Sequence, residues 1–229
     1  MKIENFFLKK KEKFDLRFHH RLKNSNISPL KVYSKEIIKD YKKFGKNYFD
    51  NKNIKIGYGN YIYDGRFKTP VKKIIKFFKL KKNSKILEVG CAKGFLIYEF
   101  YKNKMDVFGV DISKYALSKC INTIKNKIYL SNLSENLTFK QFSFDFIICK
   151  EVIPHLKKTE IKRLIKNLNL LSINVKKIYL IIQVPRSNKY KKNFVNWDIT
   201  HRTIMTKNNW IKFLKNNNFK GKVSFKDLV

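Results

Sequence analysis

A chain of 229 residues, 43% hydrophobic, holds enough apolar material for one domain with an elaboration. No apolar run approaches the ~20 residues of a membrane span, and the apolar part of Met1–Leu8 is too short for a signal peptide. The formal net charge of +35 favours anionic partners, yet it comes from 46 lysines against six arginines in a chain also rich in Asn, Ile, Phe and Tyr, so codon bias explains it better than base reading by guanidinium groups does. Three cysteines, Cys91, Cys120 and Cys149, lack metal-ligand spacing, call for no metal, and suit a reduced, cytoplasmic protein.

Residues 1 to about 50 are rich in Lys, Phe and Asn, with a helix expected over 34–44 and Ser34 as its N-cap. Arg17, Arg21, His19 and His20 fall in this basic stretch and read as surface residues. Residues 51–69, with Tyr58, Tyr61, Tyr63 and Gly57, Gly59 and Gly65, suit an ordered loop rather than a linker. Pro70 fits the first turn of a helix over 71–78. Strands are then expected at 85–89, 106–110, 127–130, 144–149 and 177–184, and helices at 94–102, 113–121, 157–172 and 206–217. Alternation of this kind predicts an α/β fold: a Rossmann-like, doubly wound, mostly parallel sheet with helices on both faces. The residues after 218 suffice for one more strand, making about six. The division expected is an N-terminal extension over 1–70, helical with an aromatic glycine-rich loop, and a core over 71–229.

Ligands in such sheets bind at the carboxyl ends of the strands. Glu88, Gly90, Gly94, Asp111 and Lys150 all fall at such ends. The turn Gly90-Cys91-Ala92-Lys93-Gly94 lacks the middle glycine of a dinucleotide site and the Gly-Lys-Ser/Thr of a P-loop. Its glycines let backbone approach a small polar ligand at a helix N-terminus. A carboxylate, Asp111, ends the next apolar run about 20 residues later, placed to accept from ribose hydroxyls.

The spacing Glu-x-Gly-x-x-x-Gly followed by Asp111 resembles the cofactor signature of class I S-adenosylmethionine-dependent methyltransferases. Leu137–Leu156, with Phe144-Asp145 and His155-Leu156, resembles a third conserved stretch of that family. The resemblance covers about residues 71–184. It implies S-adenosyl-L-methionine as cofactor, with Gly90, Cys91, Ala92 and Gly94 along its methionine part. Glu88 would face the amino group, Asp111 the ribose diol and Ile112 the adenine. Where the family often has an Asp near the adenine amino group this chain has Leu133, preceded by Asn132, so adenine recognition would rest on backbone groups or on Asn132. Lys150 ends the fourth strand of the match.

The flanking segments Tyr58–Arg66 and Trp197–Thr203 resemble a subgroup found with surface-polysaccharide or nucleotide-sugar genes. That resemblance implies a small-molecule or glycan-type acceptor, anionic through a nucleotide or lipid-linked phosphate. Tyr61, Tyr63, Arg66, Arg186 and Arg202 are the candidate lid and acceptor-binding residues, because the few arginines of a lysine-rich chain sit in its aromatic loops. His155 and His201 are the candidate bases, ahead of Asp198 and Glu151. Alignment of acceptor, methyl and sulfur can be worth ~7–11 kcal/mol, and a base for a hydroxyl acceptor ~10²–10⁴ in rate. Two alternatives stand beside this reading. RNA as acceptor is suggested by the charge, and a non-catalytic basic binding protein could use the same fold.

Overall fold

A computed structural model of the chain describes residues 6, 33–54, 56–132, 135, 139–188 and 191–228. His19, His20, Arg17, Arg21 and Leu133 lie outside the described residues. Helix α1 spans Lys35–Lys42 and is capped by Ser34, whose hydroxyl accepts from Ile37 N–H at 3.3 Å. A single turn, α2, covers Lys46–Phe49. Helix α3, Lys68–Phe78, begins before Pro70, which sits in the first turn where its missing N–H costs nothing.

The alternating core follows. Its elements are β1 (Lys85–Val89), α4 (Phe95–Lys102), β2 (Asp106–Asp111), α5 (Lys114–Ser118) and β3 (Ile128–Leu130), then β4 (Phe146–Lys150), α6 (Lys158–Leu171) and β5 (Ile178–Pro185). Helix α7 (Lys191–Trp197), helix α8 (Lys207–Asn216) and β6 (Lys222–Leu228) complete it. The six strands form one sheet in the order β3-β2-β1-β4-β5-β6, and every pair is parallel. The 113–121 helix is shorter than expected, because α5 stops at Ser118 and Asn122–Lys127 forms a 3-10 turn.

Side chains of the central strands alternate between two cores, as the pleat dictates. Ile86, Phe146, Ile148, Tyr179 and Ile181 face α3, α4 and the N-terminal aromatics Tyr41, Tyr48 and Phe49. Leu87, Ile147, Cys149, Leu180 and Ile182 face α6 and α8 through Ile161, Leu164, Leu168, Trp210 and Leu214. Burial on both faces is why these strands read as continuous apolar runs. The chain builds outward from β1 to β3 and then returns to β4 on β1's other side, so β1 and β4 flank a switch point. No helix among the described residues is long and apolar enough to cross a membrane.

Candidate cofactor and acceptor site

A cavity of about 520 Å³ opens at the carboxyl ends of β1, β2 and β4. Gly90 and Ala92 form its floor, Asp111, Ile112 and Asn132 one side, and Lys150, Glu151, Val152 and His155 the other. Gly90 has φ +76°, and a Cβ there would lie 2.1 Å from Val152 Cγ2, so only glycine leaves the floor open. Gly94, also at φ +76°, starts α4 against Ile124 and Ile128 and is buried beneath the turn. The Cys91 side chain is buried beside Gly109 and does not line the cavity.

Asp111 ties this turn together. Its carboxylate accepts from Ala92 N–H at 2.7 Å and from Ser113 N–H at 2.8 Å. Burial pushes its pKa up, and these backbone donors act against the rise. Ile112 N–H acts on it as well, and a carboxylate's four acceptor sites leave room for a further donor. Glu88 is buried behind the turn, its Oε2 has no hydrogen-bond partner, and burial holds its carboxyl well above the usual range despite Lys150 nearby. A turn that only glycine leaves open and a cavity-lining carboxylate with room for a further donor fit a ligand that carries a ribose, while the unpartnered Glu88 Oε2 lies behind the turn and outside the cavity lining. S-adenosylmethionine is such a ligand.

Glu151 follows β4 in a left-handed conformation, φ +61°, sparse for a residue with a Cβ. Lys150 Nζ lies 3.0 Å and Lys226 Nζ 2.9 Å from its Oε1. Burial alone would raise the Glu151 carboxyl, but the two lysines hold it at about 2. Burial lowers Lys150 in turn, and Glu151 partly restores it.

The N-terminal extension roofs the cavity with Phe44, Tyr48, Phe49 and Tyr58. Several polar contacts fasten it. Lys93, in the glycine turn, reaches Asp50 at 2.6 and 2.7 Å and the Tyr61 carbonyl at 2.8 Å. The Ser113 hydroxyl donates to the Phe44 carbonyl at 2.5 Å. Tyr41 and Tyr48 hydroxyls donate to Asp198 at 3.2 and 3.1 Å.

Asp198 opens the turn that carries Thr200, His201 and Arg202. Thr200 N–H and hydroxyl both donate to it, at 3.0 and 2.6 Å. His155 and Thr200 line the cavity, whereas His201 is buried behind them, stacked on Phe194 at 4.3 Å with neither ring nitrogen hydrogen-bonded. Burial lowers both histidines, His201 to about 4. His155, Asp198 and His201 bring ligand atoms within 4.8 Å of one another. Hydroxyl groups already occupy that cluster: the Asp198 oxygens serve Tyr41, Tyr48 and Thr200, and His155 Nδ1 meets Thr200.

Of the lid and acceptor candidates, only Arg202 lines the cavity, with its guanidinium 3.5 Å from Glu160. Tyr61 is buried among Tyr58 and Phe95. Tyr63 binds Glu99 and Lys102 on α4, Arg66 pairs with Asp64 at 2.7 Å, and Arg186 is exposed away from the cavity. Sequence reasoning did not single out Lys42, Tyr48, Phe49, Lys93 or Thr200. Only Lys93 carried a signal, a charged residue inside a tight glycine turn.

The family profile for the methyltransferase domain matches residues 63–222. No curated protein matches the sequence. Among solved structures, the YcgJ protein of Bacillus subtilis is 16% identical with a TM-score of 0.53, covering 64% of this chain and 66% of that one. A SAM-dependent methyltransferase from Archaeoglobus fulgidus is 18% identical with a TM-score of 0.52, covering 81% and 74%. The chain thus spans just under two thirds of YcgJ, and at these identities the likeness is one of fold. With most of its length matched by the profile and its sheet shared with these structures, the chain belongs to the methyltransferase domain family and has the Rossmann-like fold of S-adenosylmethionine-dependent methyltransferases.

Proposed function

We propose that the protein transfers a methyl group from S-adenosylmethionine to a small, glycan-type acceptor bearing an anionic group, such as a nucleotide- or lipid-linked sugar. One observation carries the reading. A single cavity joins the Gly90–Asp111 end of the sheet to a wall of aromatic and cationic side chains, Phe44, Tyr48, Phe49, Tyr58, Lys42 and Arg202. Its volume, about 520 Å³, lies within the ~300–1,000 Å³ of ligand sites. Aromatic faces suit sugar rings, and Lys42 and Arg202 suit phosphate or carboxylate. A roof of packed aromatics favours a small acceptor over a long RNA strand.

Glu88 and the Gly90–Gly94 backbone would hold the methionine end of the cofactor, Asp111 the ribose hydroxyls, and Ile112 with Asn132 the adenine. When bound, the cofactor supplies a sulfonium methyl whose leaving group is already good. The chain's own task is alignment and exclusion of water, which the 33–70 segment performs as a cover over the 71–229 core. Three free thiols suit a reduced, cytoplasmic setting. Calorimetry with S-adenosylmethionine tests the reading: the wild type is expected to bind and Asp111→Ala to bind far more weakly. Equal binding by both would sink it.

A further inference from the structure

The turn after α7 brings Thr200 beside His155. His155 Nδ1 lies 2.8 Å from Thr200 Oγ1, and Thr200 Oγ1 donates to Asp198 Oδ1 at 2.6 Å. Asp198 is buried yet held below the usual carboxylate range: burial would raise it, and the nearby imidazoles and Thr200 outweigh that. An ionised carboxylate only accepts hydrogen bonds, and it also takes the Tyr41 and Tyr48 hydroxyl protons. The single hydroxyl proton of Thr200 is therefore committed to Asp198. Its oxygen can meet His155 only as an acceptor, so Nδ1 must carry the hydrogen and Nε2 the lone pair. His155 is largely buried and its ring lines the cavity, where the backbone carbonyls of Glu151 and Thr200 also favour hydrogen on the ring.

The geometry points to a relay, His155–Thr200–Asp198, that fixes His155 as a base with its Nε2 lone pair available to the cavity and so selects a hydroxyl as the methylated group. This rests on the cavity being the methyl-transfer site. His155 is the catalytic residue; Thr200 and Asp198 are positioning residues. As the acceptor oxygen bonds the methyl carbon, the carbon–sulfur bond breaks with its electron pair left on sulfur, and the hydroxyl proton passes to His155 Nε2. The imidazolium then faces the Asp198 charge through Thr200. A neutral amine can attack before losing any proton, so it needs no such base.

The charged and titratable groups around His155 are consistent with that role. Asp198 and Glu151 favour its protonated form. His201, with its ring centroid 4.7 Å away, stays neutral above about 4 and does not compete for the proton. Lys42, Glu160 and Arg202 lie across the same cavity, with Glu160 engaged by Arg202.

The test uses the full chain, free and with S-adenosylhomocysteine added. Nitrogen-15 spectra of labelled histidines are expected to show the Nδ1–H tautomer for His155. Thr200→Val should replace it with a mixture, and Thr200→Ser should restore it. With methyl-labelled S-adenosylmethionine and a metabolite extract, Thr200→Val is expected to lower turnover about 100-fold and to move the acid limb of the pH profile downward, with rescue by Thr200→Ser. The label should leave the product as methyl iodide on treatment with hydriodic acid. An Nε2–H tautomer in the wild type, an unchanged Thr200→Val spectrum, or label fixed on carbon or nitrogen would overturn the relay. Failure of the wild type to bind S-adenosylhomocysteine would instead sink the cofactor reading, because the tautomer can be read on the free protein.

Discussion

At the scale of single residues, two titratable groups make predictions of opposite kind. Asp111, proposed to bind the cofactor ribose, is under structural load, since both its oxygens already hold backbone N–H groups of the turn. Asp111→Asn keeps the shape but removes the charge and turns one acceptor into a donor. Charge-assisted hydrogen bonds are worth about 1.5–3 kcal/mol, so cofactor affinity should fall by at least ~10-fold, as calorimetry can show. His201 is a structural group that carries a pH cost. Its folded pKa, about 4, lies below its ordinary value of 6.5, because burial disfavours the charged ring. Within that window the unfolded chain binds a proton that the folded chain refuses. Stability is therefore complete above 6.5 and declines as pH falls toward 4, by on the order of 3 kcal/mol. His201→Phe should keep the stack on Phe194 and flatten this decline, which urea unfolding at a series of pH values measures.

At the scale of elements, the extension and the glycine turn act as one unit. Asp50 accepts from Lys93 and also from Tyr115, whose hydroxyl lies 2.7 Å away. Asp50→Ala would leave a buried ammonium facing only the Tyr61 carbonyl. Breaking a buried pair costs about 3–5 kcal/mol, and the partial exposure of Asp50 reduces this to about 2–3 kcal/mol. Amide exchange over residues 44–63 should rise with it; unchanged exchange there would mean that the clamp does not hold the roof. None of this was legible in the sequence. The strands were legible, because burial on both faces writes itself as runs such as Ile178–Val184, and β1 was expected over the residues where it lies. Helix α7 was not: Lys191–Trp197 falls between the strand expected at 177–184 and the helix expected at 206–217, where no element was expected. The glycine turn could be read because glycine spacing encodes backbone shape locally. The opposite wall was legible only at His155 and Arg202, because Tyr48 and Thr200 reach His155 through contacts between distant segments, and an arginine's neighbours (Asp64 for Arg66) are set by the same packing.

The whole molecule carries +35, far more charge than its acids can offset. Many of those acids are engaged in the fold: Asp50 with Lys93, Glu99 with Lys102, Asp106 with Lys127, Glu151 with two lysines, and Asp227 with Lys207. The surplus lysines repel one another across the surface, and that repulsion is relieved when the chain expands. Salt shortens its reach, from about 30 Å at 0.01 M to about 3 Å at 1 M, while buried pairs such as Lys150–Glu151 are screened much less. The melting temperature is therefore expected to rise as sodium chloride goes from about 0.05 to 0.5 M, opposite in sign to a protein held by surface ion pairs. A flat or falling curve would show the lysines to be locally compensated. On the proposed function, the same salt should weaken capture of an anionic acceptor by Lys42 and Arg202 while leaving S-adenosylhomocysteine binding nearly unchanged, since the cofactor would be held by backbone and by Asp111. The charge would then act on the acceptor's arrival and not on the grip of the cofactor, which is how a compositional bias can be turned to use without any lysine being selected for a single contact.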